Sequence, residues 1–120
     1  MTGKLSFTKY EHECLPAFRQ RINKAESVED VRRVFGHTTR FLMEKIFSGE
    51  AIFRDEDVIL DVSEKSGFSL SSRVLSAKEF KSTWDNSDLP RMVRRFAETA
   101  ARRIKHLEKH PEKTDAKIRM

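Results

Sequence analysis

Residues 89–107 of this chain read LPRMVRRFAETAARRIKHL, and they form its strongest helical pattern. Apolar residues recur there every three or four positions, the spacing of one face of an α-helix. This apolar stripe consists of Leu89, Met92, Phe96, Ala100, Ile104 and Leu107. Ser87 is suited to cap the helix, and Pro90 is tolerated in its first turn. We therefore predict a long C-terminal helix that buries the stripe against the rest of the fold.

The opposite side of the predicted C-terminal helix is basic. Its candidate partner or polyanion surface consists of Arg91, Arg94, Arg95, Arg102, Lys105 and Lys109. Residues 91–120 carry ten Lys and Arg against four Asp and Glu, whereas residues 50–65 carry six acids against two bases. The pattern fits contact with phosphates, with an acidic protein, or with the chain's own 50–65 segment. It is also the pattern of an ordinary solvated helix face.

Helices are also predicted on both sides of the middle of the chain. Thr8, Ser27 and Ser76 are each followed three residues later by an acid, the spacing of a helix capping box. The first of these helices spans 9–24, and the other two begin at Ser27 and Ser76. Gly36 and the three residues after it are poor helix formers, so the second helix either continues through Gly36 or breaks into two there.

A β-hairpin is predicted at about 58–75, where apolar and polar residues alternate. Residues 65–67 are expected to form a three-residue turn, with Gly67 at positive φ. This turn would place the apolar residues of both strands on one side. The predicted cross-strand pairs are Val62 with Leu70 and Val58 with Val74.

These elements give the order α-α-β-β-α-α, a mostly helical α+β fold with one hairpin packed on long helices. Residues 1–110 are expected to form a single compact domain, because no linker or repeat divides them. Residues 111–120 follow Pro111 and are polar and basic, so we expect a flexible C-terminal tail.

Composition favours a small globular protein of a reducing compartment. The 120 residues carry a net charge of +5, with 38% apolar and 36% charged residues. Cys14 is the only cysteine, so no intrachain disulfide can form, and we expect a cytoplasmic protein. The longest apolar runs are triplets, far below the roughly 18 residues of a membrane span. No membrane association is therefore predicted.

The sequence contains no pattern typical of catalysis, of a cofactor or of a metal site. His106 and His110 stand four residues apart on the C-terminal helix, but further ligands are not evident. Cys14 lies on an apolar stripe, without the glycine-rich surroundings of a nucleophile. Phosphate-binding glycine loops are absent as well. We expect a protein that is not an enzyme and that has no cofactor.

The functional prediction is a small non-catalytic binding or regulatory module that self-associates or binds another protein. It rests on the broad apolar face of the C-terminal helix and on Trp84, a candidate anchor for protein contacts. The alternative is nucleic-acid binding through the basic helix. If the second helix breaks at Gly36, the element order would also suit a winged-helix core. The two functions differ in how strongly binding depends on salt.

Overall fold

The computed structural model of the protein describes residues 6–48 and 53–109. The helices are α1 (Thr8–Lys24), α2 (Val28–Phe47), α3 (Ser72–Leu75), α4 (Lys78–Asp85) and α5 (Leu89–Lys109), and the strands are β1 (Val58–Leu60) and β2 (Phe68–Leu70). A 3₁₀ turn, Asp55–Asp57, leads into β1. The predicted mostly helical α+β fold and its element order are confirmed, with the single-turn helix α3 between the hairpin and α4. The predicted tail, residues 111–120, lies outside the described residues.

Helix α5 lies in the hydrophobic core. Its stripe is buried as predicted up to Ile104, with Met92, Phe96, Ala100 and Ile104 each no more than 5% exposed, and Leu107 is partly buried. Helices α1 and α2 pack along it, and the Phe18 ring meets the Phe96 ring edge-on at a centroid distance of 4.8 Å. Burial of each large apolar side chain stabilises by about 1.5–3 kcal/mol. This packing therefore decides which face of α5 remains in solvent.

Helix α2 does not break at Gly36 but runs without interruption from Val28 to Phe47. Gly36 is needed for close packing, because a Cβ atom at this position would lie 2.8 Å from the carbonyl oxygen of Asp55. The Thr39 hydroxyl donates to the backbone carbonyls of residues 35 and 36, which keeps this buried hydroxyl hydrogen-bonded within the helix. A winged-helix core requires a turn at this point, so that part of the alternative prediction is wrong.

The hairpin is antiparallel, as predicted, but its register differs. The observed pairs are Val58 with Leu70, Ile59 with Ser69, and Leu60 with Phe68. The predicted pairing of Val62 with Leu70 and of Val58 with Val74 is therefore wrong. Val62 is 58% exposed in the turn, and Val74 belongs to α3. The shift is an even number of residues, so the apolar residues of both strands still share the inner side.

A longer turn explains the different register. The backbone N–H of Asp61 donates to the carbonyl of Gly67 at 2.8 Å and closes the loop. Inside this loop, the Asp61 carboxylate accepts from the backbone N–H and the hydroxyl of Ser63. An aspartate that binds its own chain two residues on starts a turn and ends a strand. Gly67 has φ of +88°, so the predicted positive φ is confirmed.

The predicted caps are confirmed at Ser27 and wrong at two other positions. The Ser27 hydroxyl accepts the backbone N–H of Asp30 at 3.0 Å. Thr8 does not cap α1, since its hydroxyl donates to the Asp88 carboxylate at 3.3 Å. Ser76 closes α3 by donating to the carbonyl of residue 72, and Ala77 stands at the N-terminus of α4.

The start of α5 is held by two neighbouring side chains. The Ser87 hydroxyl accepts the backbone N–H of Leu89 at 3.2 Å and so satisfies one donor of the first turn, but the residue directly before the helix is Asp88, whose carbonyl accepts the N–H of Met92. The Asp88 carboxylate accepts the backbone N–H of Phe7 at 2.9 Å and the hydroxyls of Ser6 and Thr8. Asp88 thereby connects the first residues of α1 to the N-terminus of α5.

Candidate functional site

The six predicted surface residues of α5 all point into solvent. We call this surface the basic ridge, and it consists of Arg91, Arg94, Arg95, Arg102, Lys105 and Lys109, each of them exposed. The ridge is about 27 Å long at a rise of about 1.5 Å per residue. Glu98 is exposed on the same helix and interrupts the row of positive charges.

Most of the basic ridge has no acidic partner within the described part of the chain. Arg95 pairs with Glu11 at 3.4 Å, and Arg102 donates to the Thr99 hydroxyl at 3.3 Å. The remaining four cations form no ion pair or hydrogen bond with a described residue, and they are Arg91, Arg94, Lys105 and Lys109. Their charges are thus available to an anion from solution.

Two described acids of the acidic segment 50–65 form ion pairs away from the basic ridge. Asp55 pairs with Arg40 of α2 at 3.3 Å, and the buried Asp57 pairs with Arg73. No acid of residues 53–65 forms an ion pair with the basic ridge. The charge pattern allowed the basic ridge either to contact the acidic segment or to remain uncovered. Over the described residues of the segment, the ridge is uncovered.

Asp57 is the one buried acid among the described residues of that segment. Burial alone would raise its pKa, but the pKa is lowered, because hydrogen bonds from the Arg54 backbone N–H, the Ser71 hydroxyl and the Arg73 guanidinium favour the charged form. Since the carboxylate joins the 3₁₀ turn to the start of α3, its role is structural.

A groove between α1 and α5 continues the basic ridge onto the first helix. It has a volume of about 250 Å³, and three arginines line it, namely Arg19, Arg95 and Arg102. Glu11 and Glu98 also line it and offset part of the positive charge. Arg19 was not predicted, because only the packing of α1 along α5 brings it to the ridge. The one hint in the sequence is that Arg19 directly follows the core residue Phe18.

Arg103 is basic but belongs to the scaffold. Its Nε and Nη2 atoms donate to the carbonyl oxygen of Ala25 at 3.1 and 2.7 Å. Ala25 stands at the C-terminal end of α1, where carbonyl groups lack partners within the helix. This contact joins α5 to α1 and takes Arg103 out of the binding surface.

Trp84 stands between two clefts at the N-terminal end of α5. Its ring stacks on Phe80 with centroids 5.3 Å apart and meets Phe68 edge-on at 5.8 Å. On one side is a polar cleft of about 550 Å³, which Asp85, Asp88 and Arg91 help to line. On the other side is a more apolar cleft of about 380 Å³. We call this second cleft the Trp84 cleft, and it is lined by Ser66, Phe68, Leu70, Leu75, Trp84, Pro90 and Arg94.

The apolar face of α5 does not support self-association. The prediction assumed that this face was broad enough for a second molecule. Instead, Met92, Val93, Phe96, Ala97 and Ala100 are at most 2% exposed within this one chain. The face is used by the intramolecular core, so only Trp84 remains of the two features on which the protein-contact prediction rested.

Metal-binding and nucleophilic groups are sparse. Among residues 6–48 and 53–109, no three His, Cys, Asp or Glu side chains are close enough to hold a metal ion. His106 is exposed, and His110 lies outside the described residues. Cys14 is 5% exposed, and burial raises the pKa of its thiol while the nearby Lys45 partly lowers it.

Within residues 6–48 and 53–109, none of the helices has the length and apolar character that crossing a bilayer requires.

Comparison with known proteins gives no match, since no family model, no curated protein and no solved structure is similar to this chain.

Proposed function

We propose that this protein is a non-catalytic binding module and that the basic ridge of α5 binds nucleic acid. The observation that carries the proposal is the exposed row of cations, four of which have no partner among the described residues. Lys and Arg on one face of a rigid helix are suited to meet successive phosphates along a nucleic-acid backbone. The free thiol of Cys14 fits the cytosol, which we propose as its location.

The contact is expected to be with phosphates and not with base edges. The buried side of α5 leaves the ridge as a convex row of long side chains, and no helix–turn–helix is present in α2 to enter a groove. Neutralised phosphates release counterions, so affinity falls steeply as salt rises. With about four phosphate contacts, we expect a loss of roughly 100-fold between about 50 and 200 mM salt.

The test is fluorescence anisotropy with a short labelled duplex and a labelled single strand of mixed sequence. The test variant combines Arg102→Glu with Lys105→Glu, which reverses two ridge charges at exposed positions. The matched control combines Lys78→Glu with Lys81→Glu, which makes the same change in net charge at exposed positions of α4. Circular dichroism melting shows that each variant remains folded.

The affinity of the ridge variant is expected to be at least about tenfold lower. Each lost phosphate contact reduces the number of counterions that are released on binding. The slope of log affinity against log salt should become shallower in that variant and stay nearly unchanged in the control. Absence of binding at low salt, or equal losses in both variants, would contradict the proposal.

A protein-contact function is the second candidate, and one observation favours it. Trp84 is half-buried between two clefts, which is the setting of an aromatic anchor at an interface.

A further inference from the structure

We propose that the Trp84 cleft binds a peptide segment in which large apolar side chains are flanked by acidic residues. The proposal does not depend on nucleic-acid binding by the basic ridge. It rests on the shape of the cleft, on a pre-positioned tryptophan and on the charge at the rim of the cleft.

The walls of the Trp84 cleft are mainly apolar and come from four separate elements. Phe68 and Leu70 come from β2, Leu75 from α3, Trp84 from α4, and Pro90 from the first turn of α5. Leu75 is 50% exposed, so part of its apolar side chain is accessible to an occupant of the cleft. The volume of about 380 Å³ is suited to one or two large apolar side chains and not to a long helix face.

Trp84 is held in place before any partner arrives. Phe80 stacks on one face of its ring and Phe68 contacts it edge-on, so its orientation is set by the aromatic cluster. The indole N–H donates to no described residue, and it can therefore donate to a peptide carbonyl. A rigid aromatic side chain with an unused donor loses little conformational entropy on binding.

Charge complementarity decides the chemistry of the partner. Arg94 lines the Trp84 cleft and forms no ion pair with a described residue, and it is the only charged residue among the described residues of the cleft lining. Arg91 lies on the other side of Trp84, but Asp85 and Asp88 line that neighbouring cleft with it, so the charge argument rests on Arg94. When an apolar side chain of the peptide occupies the cleft, the neighbouring peptide residues lie close to Arg94. This positive charge favours Asp or Glu at those neighbouring positions.

Peptide binding can be measured by the intrinsic fluorescence of Trp84, since it is the only tryptophan in the chain. The probe peptide is a capped synthetic octapeptide with two central leucines flanked by glutamates. In two matched peptides, serines replace the leucines or glutamines replace the glutamates. We expect the leucine–glutamate peptide to shift and quench the tryptophan emission, with a Kd of about 0.1 mM. The serine peptide should bind at least about tenfold more weakly, because the apolar burial is lost.

Two variants and two matched controls test the site. Leu75→Ser removes an exposed apolar side chain from the cleft, and Val62→Ser removes one of similar exposure from the hairpin turn. Arg94→Gln removes the cleft cation, and Arg102→Gln removes a ridge cation that lies about 12 Å farther along α5 and outside the cleft. We expect about threefold or greater weakening for the two cleft variants and unchanged Kd for the two controls.

Four outcomes would overturn the proposal. The first is that millimolar peptide changes no tryptophan emission and shows no binding by calorimetry. The second is equal binding of the leucine and serine peptides, and the third is an equal effect of Leu75→Ser and Val62→Ser on peptide binding. The fourth is that an oligonucleotide quenches the tryptophan emission and that this quenching is lost in Arg94→Gln and Leu75→Ser. The last would assign the cleft to nucleic acid. Failure of the proposed function is separate, because it is measured with Arg102→Glu and Lys105→Glu, which lie outside the Trp84 cleft.

Discussion

The guanidinium of Arg95 lies 3.4 Å from the carboxylate of Glu11, and the two residues are 84 positions apart in the sequence. The Glu11 side chain is only 4% exposed, whereas the Arg95 side chain is 60% exposed. The arginine therefore belongs to the basic ridge and also neutralises a buried acid of α1. This double role separates Arg95 from the other cations of the ridge.

Replacement of Arg95 is expected to destabilise the fold. Arg95→Gln leaves the buried Glu11 carboxylate without its cationic partner, at a cost of about 1–3 kcal/mol in the free energy of unfolding. Arg102→Gln, on the same face, should stay within about 0.5 kcal/mol of the parent. Urea denaturation measures both. If the double variant Glu11→Gln with Arg95→Gln is as unstable as the sum of the two single variants, the pair does not interact as described.

Gly36→Ala is expected to lower stability although alanine is the better helix former. Alanine in a helix interior gains about 1 kcal/mol over glycine, but its Cβ would lie 2.8 Å from the Asp55 carbonyl oxygen. The 3₁₀ turn must then move, at a cost of about 1–3 kcal/mol. His37→Ala, at the next and exposed position, is the control and should not destabilise. A thermally stabilised Gly36→Ala protein would show that the turn is not packed on Gly36.

The Asp57 carboxylate predicts a dependence of stability on acid pH. Its pKa is lowered from 3.8 in the folded state, since the hydrogen bonds and the charge of Arg73 outweigh the effect of burial. A lowered pKa contributes stability that is present above 3.8 and is lost as the pH falls through the folded-state pKa. Urea unfolding curves from neutral pH down to strong acid should show this loss in the parent. Asp57→Asn should be less stable at neutral pH and should lose less on acidification, and an unchanged loss would contradict the assignment.

Gly67→Val is expected to destabilise the protein by about 1–3 kcal/mol, because a β-branched residue is strained at positive φ. The observed φ is +88°, and a Cβ atom there would also lie 3.0 Å from the Cβ of Ala97 on α5. Lys65→Val, two residues earlier at an exposed position, controls for added apolar surface. Thermal unfolding compares the two, and equal melting temperatures would count against the turn geometry.

Two features were harder to predict from the sequence than the elements themselves, namely the hairpin turn and the continuity of α2 at Gly36. The alternation of apolar residues predicted the hairpin and its inner side, but not its register. Asp61 was expected within a strand, whereas its contacts with Ser63 end the strand and lengthen the turn. Gly36 was ambiguous for a similar reason, because its role depends on Asp55, which approaches from a different part of the chain.

Some residues of the candidate sites could be predicted from the sequence, and others could be assigned only from the tertiary structure. The six cations of the basic ridge were predicted by residue number from their spacing along one helix. Arg19 was not, because it reaches the ridge only through the packing of α1 on α5. Trp84 was predicted as an anchor, but its partners in the Trp84 cleft come from β2, α3 and α5 and could not be assigned from spacing.

The sequence by itself determined which residues of α5 face the core and which face solvent. That division follows from a helical repeat of about 3.6 residues, which depends only on positions within the helix. Tertiary structure alone decided that α2 continues through Gly36, that Glu11 is buried against Arg95, and that α5's apolar face is used within one chain. These outcomes depend on contacts between residues far apart in sequence, where distance and burial are set by the packing of whole elements.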